Sequence, residues 1–134
     1  MNILLVDDEE IVLRSLGRFL ARCGHRLKTA SDGAEALLRI EEEVPDVVIS
    51  DVRMPGLDGL GLMERLRARF PALPVVLITG HGSGKAGVAA LQKGARGYLR
   101  KPIRLEGLIA VLGRIEEERQ RGDAGSNSQQ GEMR

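Results

Sequence analysis

Short apolar runs alternate with longer stretches of helical spacing along this chain. Residues 2–6 form a continuous apolar run of strand length, as expected for a strand covered on both faces. After Asp7-Asp8-Glu9-Glu10, the residues Val12, Leu16, Phe19, Leu20 and Cys23 recur at helical spacing, and Gly24 stands where a glycine ends a helix. This face places the Cys23 thiol in the core. Residues 25–30 predict a second strand, more polar and so nearer a sheet edge. Ser31-Asp32-Gly33 is a turn that caps a helix with Leu37 and Ile40 inward, and Val44-Pro45 breaks the acidic run that ends it. Residues 46–51 form the third strand. Asp58 is the expected N-cap of a helix with Leu62, Met63, Leu66 and Phe70 on one face.

Pro71 and Pro74 bracket the turn into a fourth strand, 75–79. Gly80-His81-Gly82-Ser83-Gly84 is a glycine-rich loop that leads into a helix over 85–93, with a weak apolar face of Val88 and Leu91. This helix is predicted to be the least stable, because Gly87 inside it costs about 1 kcal/mol relative to Ala. Gly94 stops it, and 95–99 is a short fifth strand. Leu105, Leu108, Ile109, Leu112 and Ile115 define a last amphipathic helix. The pattern lapses from about residue 121 into a Gly/Ser/Gln/Asn-rich stretch. The expected organisation is one domain over 1–120 and a disordered tail or linker over 121–134. Five strands alternating with five helices predict a (βα)5 α/β fold, doubly wound around a parallel sheet.

Composition narrows the function classes. With 134 residues the chain can bury one sizeable core, and 43% hydrophobic with 29% charged residues is ordinary for a globular domain. The net charge of +1 offers no basic field for nucleic acid, and three aromatic residues, Phe19, Phe70 and Tyr98, make no stacking platform for single strands. Cys23 is alone, so an intrachain disulfide and a cysteine metal cluster are both excluded. No apolar run approaches the roughly 18 residues that span a bilayer, and no targeting segment precedes the first strand, so the expected location is the cytoplasm.

Four of the predicted strands end on polar residues: Asp7 and Asp8, then Asp51, then Thr79, then Lys101. A parallel sheet brings all strand C-termini to one edge, where ligands bind at the switch point of the strand order. Three carboxylates within ~5 Å of one another repel by about 3 kcal/mol per pair at an effective dielectric near 20. Lys101 supplies one counter-charge, and a hard divalent cation such as Mg²⁺ would supply two more. Acid, hydroxyl and ammonium around such a cation suit phosphoryl transfer, in which a carboxylate can be the nucleophile. Asp51, alone at its strand tip, suits that role. Asp7 and Asp8 suit metal binding, and Thr79 and Lys101 suit the phosphoryl oxygens.

These segments resemble a known family. Val6-Asp7-Asp8-Glu9, the run from Asp51 through Met54-Pro55-Gly56 to Asp58-Gly59, Thr79-Gly80-His81-Gly82 and Tyr98-Leu99-Arg100-Lys101-Pro102 are similar to the signature segments of bacterial response-regulator receiver domains, in order and over about residues 2–118. The resemblance implies a flavodoxin-like five-stranded sheet in the order 2-1-3-4-5 with helices on both faces. It implies that Asp51 accepts a phosphoryl group from a sensor histidine kinase or a phosphotransfer protein. Mg²⁺ (or Mn²⁺) would be held by Asp8, Asp51 and the backbone carbonyl of Arg53, with Asp7 assisting. Thr79 and Lys101 would bind the phosphoryl group, Tyr98 would be the aromatic switch, and Lys101-Pro102 would be a cis peptide. Arg53 and His81 occupy positions that in this family influence the lifetime of the phosphoryl group. The implied output is a partner protein or an effector domain outside these residues, with the domain a monomer or a phosphorylation-linked dimer through its fourth helix, fifth strand and fifth helix.

Alternative readings stay in view. The chain is a stand-alone regulator, or a receiver belonging to a larger transcriptional regulator or hybrid kinase. A small Asp-nucleophile phosphatase would want a second acid two residues after Asp51, where Arg53 stands. Gly82-Ser83-Gly84-Lys85 fails as a P-loop, because Thr79 occupies the first glycine position and Ala86 follows the lysine. Gly59-Leu60-Gly61 fails as a dinucleotide fingerprint, with Glu64 at the third glycine position.

Overall fold

The computed structural model describes residues 1–80 and 84–132, with Gly84 and residues 123–132 described as backbone alone. His81, Gly82 and Ser83, including the position singled out at His81, lie outside the described residues. The elements follow in strict alternation: β1 (Asn2–Val6), α1 (Glu10–Arg22), β2 (Arg26–Ala30), α2 (Gly33–Glu42), β3 (Val47–Asp51), α3 (Gly59–Arg69), β4 (Val75–Thr79), α4 (Gly84–Gln92), β5 (Gly97–Arg100) and α5 (Leu105–Glu132).

All five strands are parallel, in the order β2-β1-β3-β4-β5. The central strands β3 and β4 are buried at every position, which is why they read as unbroken apolar runs. β2 lies at an edge and exposes Arg26, Lys28 and Thr29. One face of the sheet contributes Leu4, Val6, Val48, Val75 and Leu77 to a core completed by Ala36 and Ile40 of α2, Leu62, Met63 and Leu66 of α3, and Ala90 of α4. The alternate residues Ile3, Leu5, Val47, Ile49, Val76 and Ile78 are buried on the opposite face, where α1 packs on β1 and β2 through Leu16 and Leu20.

Helix starts follow the capping signals. Asp32 accepts the Glu35 amide at 2.7 Å, while the Glu35 carboxylate returns to the Ser31 amide and hydroxyl. Asp58 accepts the Gly61 amide at 2.8 Å. Two expectations are corrected. Cys23 is exposed, because α1 ends at Arg22 and Cys23 is its C-cap, one step off the helical face that would have buried it. In α4 the buried residues are Gly87 and Ala90, whereas Val88 and Leu91 are 54% and 47% exposed. At Gly87 a side chain is excluded because the ring of Tyr98 occupies the space beside the helix.

The chain divides into two compact units, Met1–Ile103 and the segment from Arg104 onward. In the second unit α5 buries Leu108, Val111, Leu112 and Ile115, and exposes Leu105 and Ile109. Its backbone is helical to Glu132, beyond residue 121 where the amphipathic pattern stops. Among the described residues no helix is long and apolar enough to cross a membrane.

Candidate functional site

The strand register puts the polar strand ends level with one another. Val6 pairs with Ser50, so Asp7 lies opposite Asp51. Asp51 pairs with Ile78, one residue before Thr79, and Thr79 pairs with Arg100, one residue before Lys101. The Lys101 amide donates to the Thr79 carbonyl at 2.7 Å, which carries the β4–β5 ladder one step past its end. The Lys101–Pro102 peptide that follows is cis.

Three carboxylates converge at this edge. Oxygens of Asp7, Asp8 and Asp51 lie within 4.8 Å of one another, with Asp7 and Asp51 buried and Asp8 exposed. Lys101 reaches into the same place. Its Nζ lies 3.3 Å from Asp7, 3.4 Å from Asp51 and 3.2 Å from Glu9. One ammonium therefore faces three carboxylates, with Asp8 close beside two of them. The excess of negative oxygen donors, two of them shielded from water, is the donor set that a hard divalent cation takes.

The electrostatics carry the mark of that crowding. Burial raises the pKa of Asp7 above its ordinary value, and the charge of Asp51 adds to the rise. The amide of Glu9, which donates to Asp7 at 2.9 Å, and the Lys101 ammonium oppose it. Burial alone would lower the Lys101 pKa, but the charges of Asp7 and Asp51 with hydrogen bonds to Glu9 and Asp7 override it, and the net shift is upward. Lys101 is a fixed cation here.

Backbone holds Asp51 from behind. The Arg53 amide lies 3.4 Å from one carboxylate oxygen, a long contact, and the Arg53 side chain is exposed. The loop after β3 turns through Gly56 at φ +73°, then closes with the Gly59 amide on the Val52 carbonyl at 2.9 Å. A Cβ on Gly59 would come within 2.2 Å of the Asp51 carbonyl oxygen, so only glycine lets α3 start this close to the strand tip. Thr79 is buried at 1% exposure at the end of β4. Tyr98 is half-buried against the core and lies over Gly87 of α4. Two contributors escaped the sequence reading. Glu9 and Gly59 were each visible within a signature segment, but neither was given a role at the site.

Comparison with known proteins agrees with this geometry. Residues 3–113 match the family model described as the response regulator receiver domain. The chain belongs to that family. The DNA-binding transcriptional regulator NtrC of Escherichia coli (strain K12) is 41% identical over 110 residues, covering 82% of this chain and 24% of NtrC. The response regulator MprA of Mycobacterium avium (strain 104) is 44% identical over 112 residues, covering 84% of this chain and 49% of MprA. The crystal structure of the receiver domain of NtrX from Brucella abortus superimposes with a TM-score of 0.80 at 38% identity, covering 86% of this chain and 98% of that one. The chain thus spans about a quarter of NtrC and half of MprA. It is a receiver domain of the two-component response-regulator type.

Proposed function

We propose that Asp51 accepts a phosphoryl group from a phosphohistidine on a sensor histidine kinase or phosphotransfer protein. The observation that carries this is one cluster: a buried carboxylate at a strand tip, beside Asp7 and Asp8, with the Lys101 ammonium 3.4 Å away. A carboxylate oxygen of Asp51 attacks phosphorus, the P–N bond breaks, and the departing imidazole keeps the electron pair and takes a proton. Lys101 and the Thr79 hydroxyl hold the transferred oxygens, whose charge they match. Asp7, Asp8, Asp51 and the Arg53 carbonyl would hold Mg²⁺ or Mn²⁺, which supplies positive charge against the carboxylates and the incoming phosphoryl oxygens. Asp51 then changes from about −1 to roughly −2 charge with new acceptor oxygens. Thr79 moves toward them, Tyr98 follows, and α4 is re-posed. The chain catalyses only its own phosphorylation and dephosphorylation.

In this reading residues 1–120 are the switching domain and 121–134 connect it onward or trail from it. Output passes either to a separate partner protein or to an effector domain joined to the receiver, as in NtrC, a DNA-binding transcriptional regulator. The test is incubation with acetyl phosphate and Mg²⁺, followed by intact mass. A gain of one phosphoryl group is expected, lost on chelation and in Asp51→Asn. No gain, or a gain retained in Asp51→Asn, overturns the proposal. Sustained release of phosphate from many esters would make the chain a phosphatase instead.

A further inference from the structure

Gly87 in α4 is a residue whose lack of a side chain is used by a neighbour. A Cβ built there would lie 2.8 Å from Cδ2, 3.0 Å from Cε2 and 3.5 Å from Cγ of Tyr98. Those three atoms span one edge of the ring, so the aromatic lies along the helix backbone at this point. Gly113 in α5 and Gly17 in α1 have nothing within 4 Å of a built Cβ, so a helical glycine in this chain does not by itself imply such a contact. Gly87 also weakens the helix that carries it. The far end of α4 is held: the Arg67 guanidinium of α3 donates to the Lys93 carbonyl, and Gly94 turns away at φ +116°. The contact with Tyr98 therefore falls in the half of the helix away from that anchor.

We infer that Gly87 is the positioning residue of Tyr98: its missing side chain gives the ring a seat on α4, so that the ring orientation and the pose of the helix change together. This rests on the reading of Tyr98 as a switch. A methyl group at residue 87 removes that seat, and because the coupling between ring and phosphorylation is reciprocal, removing it changes how readily the chain is phosphorylated.

Tyr98 is the only tyrosine and there is no tryptophan. One 3-fluorotyrosine therefore reports the ring by ¹⁹F NMR without interference. In Gly87→Ala the fluorine resonance shifts before any phosphate is added. The rate of phosphorylation by acetyl phosphate with Mg²⁺ changes about threefold, and this change disappears when Gly87→Ala is combined with Tyr98→Ala. An unmoved resonance overturns the proposal, as does an unchanged rate. A change that survives in the Tyr98→Ala background also overturns it, since improved helix propensity would then be the cause. If Gly87→Ala alone fails to fold but folds with Tyr98→Ala, the clash is demonstrated; failure in both backgrounds overturns it. Should the parent chain take up no phosphoryl group, the proposed function fails, and the fluorine spectrum still decides whether Gly87 seats the ring.

Discussion

At Asp7, burial opposes the negative charge that a cation site needs. A carboxyl whose folded pKa is raised binds its proton more tightly in the folded chain than in the unfolded one. Stability then falls as pH rises from the ordinary carboxylate value, 3.8, through the raised one. Above that window the metal-free protein carries the full cost. Asp7→Asn removes it while keeping an oxygen for the Glu9 amide. We expect the variant to be more stable by on the order of 1 kcal/mol at neutral pH in chelator, by urea unfolding. The gain should vanish near pH 3. A variant no more stable than the parent at neutral pH contradicts this account. Asp7, Asp51 and Lys101 were all legible as polar strand ends. Glu9 was not, because an exposed acid after two others looks like solvated surface until Lys101 is seen 3.2 Å away. Nor was the close approach at Gly59, which depends on where α3 meets the Asp51 carbonyl.

Among the elements, α2 and α3 were the most readable, since both begin with an Asp whose carboxylate accepts the amide three residues on. Asp58→Ala should cost about 1 kcal/mol in urea unfolding with Mg²⁺ absent, the usual effect of losing an N-cap. No loss of stability would mean that the loop closure at Gly59 alone starts α3. The helix α4 was the least readable. Its large apolar residues Val88 and Leu91 suggested the inward face, yet its inward face is Gly87 and Ala90. Helical periodicity finds a stripe, but on a short helix with few apolar residues it cannot say which stripe a neighbour leaves room for. The neighbour here is a ring from β5, eleven residues away in sequence. The end of α1 failed for a different reason, because one residue at a helix terminus decides whether Cys23 continues the buried stripe or caps it.

For the molecule as a whole, the site is a charge imbalance held together by the sheet. Folding brings Asp7, Asp51 and Glu9 against Lys101 and Asp8 beside Asp7 and Asp51, and a bound cation would relieve that repulsion in the folded state only. At 100 times its dissociation constant, a ligand bound only by the folded state adds about 2.7 kcal/mol. Mg²⁺ should therefore raise the unfolding midpoint of the parent chain, and Asp8→Asn should lose most of the shift without losing the fold. Equal midpoints with and without Mg²⁺, or an equal shift in both proteins, would show that the cluster does not take the ion.

The alternation of apolar runs with helical spacing determined the (βα)5 class, because each pattern can bury its apolar face in only one kind of layer. It also determined which residues end the strands, since an acid closing an apolar run marks the sheet edge. The tertiary structure alone decided how those ends meet. The parallel register sets Asp7 opposite Asp51, and the ladder past Thr79 delivers Lys101 to the same point. It alone showed that Gly59 and Gly87 are close approaches rather than turn or breaker residues. A glycine has no side chain whose pattern can be read along a sequence, and its purpose lies in the atom that occupies the space it leaves.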